Sequence, residues 1–236
     1  MIRQIKYFSV DNKILYNIVT YNMNNIKSFE AIDFYQLDDL FSEEHKLVRD
    51  SIRQFVNQEI IPNIEEWYEK NHFPTDIVKK MGETGIFGPN TSPDYGGGGL
   101  DNISYGLIMQ ELERGDSGMR STASVQSSLV MYPIEAYGSE EQKKKYLPKL
   151  ATGEMLGCFG LTEPDYGSNP GGMISKLEDK GDYFLLNGAK LWISNSPIAD
   201  IAVVWAKDEN KRIKGIIVER GMEGFSTPKT GGKWSL

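Results

Sequence analysis

The sequence predicts an α+β chain in which the helices come first and the strands second. Three observations carry this. From Ser42 to about residue 150, apolar residues recur at helical steps of three and four. Past Glu154, short apolar runs bounded by turn residues take over. The 236 residues are 39% hydrophobic and 25% charged, enough apolar material for one large packed domain or two modest ones. The change of period falls at about residues 150–155, so the two kinds of element are segregated along the chain.

The first 36 residues are poorly patterned and are expected to form an extension. Within the first 22 of them, Arg3, Lys6 and Lys13 stand against a single acid, Asp11. The stretch is too poor in Arg and Ser for a transit peptide and has no compact apolar segment for a secretory signal. Either Met1 or Met23 can serve as the start.

Ser42 caps the first expected helix, with Glu43 and Glu44 where the helix dipole favours negative charge. Leu47, Val48, Ile52, Phe55, Val56 and Ile60 form its apolar face, and Pro62 ends it. A second helix starts near Thr75, turns Ile77, Val78 and Met81 inward and stops at Gly85. After the glycine run at 96–99, Asp101 caps a helix carrying Ile103, Leu107, Ile108 and Leu112. An apolar helix then covers residues 121–137, and Ser139 with Gln142 opens a short one as a capping box, with Leu147-Pro148 near its end. Strands are expected within residues 155–161, 183–186, 190–193, 201–206 and 213–218. Asn187-Gly188 reads as a hairpin turn, and Asp208-Glu209-Asn210 as another turn.

Composition excludes several function classes. Lys and Arg total 26 against 33 Asp and Glu, a net charge of −7, with no dense basic stripe for nucleic acid. A single cysteine, Cys158, rules out an internal disulfide framework and suits a reducing compartment. Two histidines and one cysteine make a zinc site a poor expectation. No apolar run approaches a membrane span. The nucleophile elbow, Walker-A loop and G-x-G-x-x-G fingerprint are all missing. The glycine run could cradle a phosphate or simply connect two helices.

Two segments hold chemistry. Residues 158–169, CFGLTEPDYGSN, run from an apolar strand into hydroxyls and glycines, where backbone can approach a ligand closely. Residues 186–196, LNGAKLWISNS, place an aromatic plate beside a hydroxyl and an amide at a strand end. That pattern suits a flat heteroaromatic group, although a Trp at a strand end is also ordinary core. Arg120, at the start of an apolar helix, reads on its own as a surface or capping residue.

Taken together these segments resemble the signature of the acyl-CoA dehydrogenase family, flavoproteins that oxidise acyl-CoA thioesters. The likeness covers residues 38–236 in order. Within the family, residues 117–121 (SGMRS), 124–134 (SVQSSLVMYPI) and 137–148 (YGSEEQKKKYLP) are most similar to the glutaryl-CoA dehydrogenase branch. The resemblance implies an N-terminal all-helical domain over 37–152 and a β-barrel-like or sandwich middle domain over 153–236, left incomplete before a C-terminal helical bundle. It implies FAD as cofactor, lined by Phe159, Gly160, Leu161, Thr162, Glu163, Pro164, Gly167, Ser168, Trp192, Ile193 and Ser194. Thr162 would bond the flavin edge, Ser168 the cofactor phosphates or the CoA portion, and Ser194 would face the reactive flavin nitrogen. Arg120 and Ser121 would face the acyl end of the substrate, where a guanidinium suits a carboxylate, with Glu113 behind Arg120.

The implied reaction is α,β-dehydrogenation of an acyl-CoA, with decarboxylation if the substrate is glutaryl-CoA and crotonyl-CoA the product. The family's base, a Glu of the C-terminal domain, has no match here, so the chain alone is expected to be inactive. The alternatives are a non-catalytic flavin- or CoA-binding remnant and a sister enzyme for a non-carboxylated acyl-CoA. Further implications are electron-transfer flavoprotein as acceptor, a homo-oligomer (a tetramer) for the full-length protein, and a cytoplasmic location in a bacterium or the mitochondrial matrix in a eukaryote. The sequence departs from the family pattern at Asn169, where Asp is usual, and at Ser194, where Thr is commoner.

Overall fold

The computed structural model describes residues 34–232. The expectations for residues 1–33 lie outside the described residues. The chain divides into two compact units, 1–41 and 42–236. In the described part of the first, a 3-10 turn spans Leu37–Leu40.

The second unit opens with α1, Glu43–Phe55, which continues as a π-helical turn over Val56–Ile60 and stops ahead of Pro62. Ser42 Oγ accepts from His45 N at 3.2 Å, and His45 Nδ1 accepts from Ser42 N, so a histidine closes the capping box. Ile52, Phe55, Val56 and Ile60 are buried, but Leu47 is exposed, since it lies off the stripe they form. A short helix α2, Ile64–Glu69, was not expected; three of its six residues are Glu, and none of the six is buried. Helix α3, Thr75–Glu83, buries Ile77, Val78 and Met81 as expected and ends before Gly85, which is left-handed at φ 78°.

Helix α4, Asn102–Gly115, is capped by Asp101 through Ser104 N at 2.8 Å. Its inner face is Ser104, Leu107, Ile108, Glu111 and Leu112, and Ile103 is exposed, contrary to the apolar reading. Glu111 can sit inside because Arg53 and Arg114 both donate to it, at 2.7 and 2.8 Å. Helix α5, Ser117–Ser124, passes through a π-helical segment, Val125–Met131, into α6, Tyr132–Tyr137. Helix α7, Glu140–Ala151, has the expected Ser139–Gln142 box, but it continues beyond Pro148.

Strands β1 (Gly157–Gly160), β2 (Lys176–Asp179), β3 (Phe184–Asn187), β4 (Ile201–Lys207) and β5 (Ile213–Glu219) form one mixed sheet. Strand β5 pairs antiparallel with β4 along its whole length. The other edge of β4 is shared: β1 runs parallel along residues 201–204, and β2 bridges only at Lys207. A helical half followed by a mixed sheet is the architecture expected from the change of period.

The sheet is buried on both sides where it matters. Ile201 and Val203 face the helices, joined by Phe159, while Ala202 and Val204 alternate to a second cluster with Cys158 and Val218. Two side chains sew the halves together. Gln126, fully buried on the π-helical segment, donates to the carbonyls of Leu150 and Met155 and accepts from Gly157 N, each at 2.8–2.9 Å. Asn195 donates to Gly157 O at 3.2 Å and to Thr122 O at 3.5 Å.

Two strand expectations are corrected. Residues 190–193 are not a strand, and Asn187-Gly188 is not a hairpin turn. The hairpin joins β2 to β3 instead, closed by Lys180 N donating to Tyr183 O at 2.9 Å. Gly188 is needed for close approach, because a Cβ there would collide with Ser175 Oγ. Leu191 N and Lys190 Nζ donate instead to the loop after β1, as described next.

Candidate cofactor and substrate site

Strand β1 delivers the first candidate segment. Phe159 packs edge-on against Trp205, ring centres 5.9 Å apart, and Gly160 is buried. The chain then leaves the sheet with Leu161 and Thr162 half-buried, Glu163 buried, and Pro164, Gly167 and Ser168 exposed. Glu163 and Tyr166 bond each other's backbone, which turns the loop back on itself.

The second segment lies beside it. Leu191 N donates to Thr162 O at 2.9 Å, and Lys190 Nζ donates to Leu161 O at 3.1 Å. Sequence separation between the segments is about 30 residues, yet these bonds make Thr162 and Trp192 neighbours along two adjoining loops. Trp192 is 61% exposed and adopts φ 59°. A bulky residue in the left-handed region is a backbone outlier, and such strain concentrates where a side chain must be presented. Ile193 is half-buried and Ser194 exposed. A cleft of about 690 Å³ opens here, lined among others by Gly160, Ser175, Trp192, Ile193, Ser194 and Val204. Of the residues expected to line a cofactor, four border it; Phe159, Leu161–Pro164, Gly167 and Ser168 do not.

Glu163 is only 2% exposed and lies in a fully bonded pocket. Oε1 accepts from Lys190 Nζ at 2.8 Å and Ser175 N at 3.1 Å, and Oε2 from Ile174 N at 2.7 Å. Burial by itself would push this carboxyl up; the Lys190 ammonium and the backbone N–H groups outweigh it and hold it at about 2. Its side chain therefore supports the loop from inside. Lys190 and Asn195 are structural residues of the site that motif reading passed over; the only available signal was their position on either side of Trp192.

The acyl-end candidates sit on α5. Arg120 Nε donates to Glu113 Oε2 at 2.6 Å, and Glu113 Oε1 accepts from Ser117 Oγ at 2.6 Å. These bonds, Arg120 foremost, lower the Glu113 carboxyl below its ordinary range. The terminal guanidinium nitrogens of Arg120 meet no partner among the described residues. Ser121 is half-buried on the same turn, and the adjacent Thr122 carries the carbonyl bonded by Asn195. The structure thus brings α5 against the loop holding Trp192 and Ser194.

An exposed aromatic plate with hydroxyls around it, over a cleft, fits a planar heteroaromatic cofactor better than a metal. Among the described residues no group of His, Cys, Asp and Glu could hold an ion. No helix among them is long and apolar enough to cross a membrane.

Comparison with known proteins agrees with this arrangement. Residues 42–154 match the acyl-CoA dehydrogenase N-terminal domain and residues 158–236 the acyl-CoA dehydrogenase middle domain. The chain belongs to the acyl-CoA dehydrogenase family. Among acyl-CoA dehydrogenases, it is 39% identical over 199 residues to a glutaryl-CoA dehydrogenase of Desulfococcus multivorans, covering 81% of this chain and 51% of the relative. It is 40% identical over 199 residues to a short-chain-specific acyl-CoA dehydrogenase of Clostridium acetobutylicum, covering 82% and 52%. The crystal structure of a Mycobacterium smegmatis glutaryl-CoA dehydrogenase in complex with FADH2 superposes with a TM-score of 0.84 at 43% identity, over 86% of this chain and 52% of that one. The chain therefore spans about half the length of the relatives it matches.

Proposed function

We propose that this chain forms the FAD- and acyl-CoA-binding walls of an acyl-CoA dehydrogenase that acts on glutaryl-CoA, with a helical domain over 37–152 and a middle domain over 153–236. The observation that carries the reading is Trp192, exposed on left-handed backbone at the lip of the cleft and tied to Thr162 through Leu191. Bound FAD would supply the acceptor for the hydride leaving the β-carbon. Ser194, and Thr162 from the adjoining loop, would hold the edge of the ring through their hydroxyls, with Trp192 and Ile193 packing against it. Ser168, exposed after Gly167, is left to bond phosphate or the CoA portion.

Removal of the α-proton needs a carboxylate with affinity for it. Two acids bonded into this site are unsuited: Glu163 is held at about 2 by Lys190 and backbone donors, and Glu113 is paired with Arg120. We therefore place the base outside the described residues. Electron-transfer flavoprotein as acceptor and a homotetrameric assembly remain readings that follow from the family.

Arg120 carries the substrate choice. Its free terminal nitrogens can clasp a distal carboxylate. A second reading, a non-carboxylated acyl-CoA, is favoured by the prior claim of Glu113 on this guanidinium. Titrating the FAD-loaded chain with glutaryl-CoA and butyryl-CoA while following the flavin spectrum separates the two. On the first reading, Arg120→Ala weakens glutaryl-CoA at least tenfold and leaves butyryl-CoA within about twofold; equal effects on both favour the second. Bound FAD whose spectrum neither thioester perturbs would point to a non-catalytic flavin-binding remnant.

A further inference from the structure

We infer that the buried Glu163–Lys190 pair is a positioning clamp that locks the loop after β1 to the loop after β3, and so sets Thr162 and Trp192 in place for the cofactor. The part of this inference that concerns the cofactor rests on the FAD reading above. The pair is buried from both ends: the Lys190 side chain is 10% exposed and that of Glu163 2%. Neither residue is on a regular element, and each is next but one, or next, to a residue of the candidate cofactor site.

The bonding of the pair joins three segments. The Lys190 ammonium reaches both Glu163 and the carbonyl of Leu161, closing the second loop onto the first at two points. The other bonds of the Glu163 carboxylate come from the backbone at Ile174 and Ser175, just before β2. The backbone bond from Leu191 to Thr162 lies between the two anchor points. Lys190 and Leu191 are therefore held along the first loop without belonging to the sheet, which ends at Asn187 on this side and resumes at Ile201.

Stability alone is a weak reason to bury such a pair. Desolvating two charges costs about what their attraction returns, and apolar replacements of similar volume are often neutral or stabilising. What an apolar pair would not reproduce is direction: an ammonium with three donors, aimed at one carboxylate and one carbonyl, admits one registration of the two loops. Packing between aliphatic side chains would allow the loops to slide.

The test uses the 236-residue chain, with amide hydrogen exchange of Leu191 and FAD titration as separate readouts. In the wild type, the Leu191 amide should exchange at least tenfold more slowly than in an unstructured peptide. In Glu163→Leu/Lys190→Met, which removes both charges together, Leu191 should exchange at least tenfold faster than in the wild type. The urea midpoint should fall modestly, because Ile174 N and Ser175 N lose their acceptor, but the amides of β4, such as that of Val203, should lose far less protection than Leu191. FAD affinity should fall at least tenfold. Lys190→Arg, which leaves no unpaired buried carboxylate, should keep Leu191 protection within threefold and restore most of the FAD affinity. A freely exchanging Leu191 in the wild type, or exchange in the double variant that matches the wild type, overturns the clamp. A uniform loss of protection across β4 and Leu191 also overturns it, as the signature of a merely stabilising pair. If the wild type takes up no FAD while Leu191 behaves as stated, the cofactor reading fails and the clamp stands.

Discussion

Trp192 and Glu163 represent opposite ways of holding one residue where local preference would not put it. Trp192 keeps a left-handed backbone that costs about 1–3 kcal/mol in a non-glycine residue, and it leaves most of its ring in water. Trp192→Gly removes the strain and the plate together. We expect its thermal midpoint to equal or exceed that of the wild type while FAD affinity falls at least tenfold, measured by melting and by flavin titration on the same sample. Glu163 has a folded-state carboxyl lowered to about 2. An unfolded chain therefore binds more protons than the folded one between that value and the ordinary carboxylate range, so this contribution is present in full above about pH 4.5 and is lost as pH falls toward 2. Glu163→Gln removes this dependence. Urea midpoints at pH 5 and pH 3 should show a shallower acid decline in Glu163→Gln than in the wild type.

At the scale of elements, the helical half meets the sheet through polar groups as much as apolar ones. Gln126 satisfies two carbonyls and one N–H that α7, the segment after it and β1 leave in a buried joint. Leaving buried polar groups without partners costs about 1–3 kcal/mol each. Gln126→Leu should therefore destabilise the chain by about 3 kcal/mol or more in urea unfolding, well beyond an ordinary surface change. The position is on a π-helical segment, where one extra residue per turn alters which side chains face the joint. Gly157, the partner of Gln126 on β1, lies so close to Val130 that an added Cβ would reach its Cγ1 at 2.5 Å. Gly157→Ala should likewise cost stability, because the neighbour is a branched side chain with nowhere to retreat, and the same urea series checks it.

Across the whole molecule, Glu163 and Glu113 at the proposed site are each paired with a cation, and this limits what the chain can do by itself. We expect the 236-residue chain loaded with FAD to turn over glutaryl-CoA far below the ordinary enzyme range of ~1–10³ s⁻¹. Assay with an artificial electron acceptor checks this, and turnover within that range would show that a base has been overlooked among these residues. The net charge of −7 belongs to the same scale: an acidic surface repels polyanions, so any contact with CoA phosphates has to be made by local donors such as hydroxyls and backbone N–H groups.

Local chemistry was enough to reveal the helix starts at Ser42, Asp101 and Ser139, because a cap is a bond between residues three apart. The buried faces of α3 and β4 were likewise legible, since burial imposes its period on the apolar residues directly. The two candidate segments could be picked out by their mixture of glycine, hydroxyl and aromatic residues, and family resemblance supplied their roles. Tertiary structure decided the rest. Strand β2 exists through its pairing with β3, as three of its four residues are charged and only Leu177 is buried. Ile103 and Leu47 are exposed, and Glu111 is inside, because two arginines from different helices neutralise it there. Residues 190–193 have the composition of a strand, but a lysine drawn into a buried carboxylate about 30 residues away holds them in a loop. No pattern within either segment records that bond, because a hydrogen bond or ion pair between distant residues depends on where the whole chain carries them.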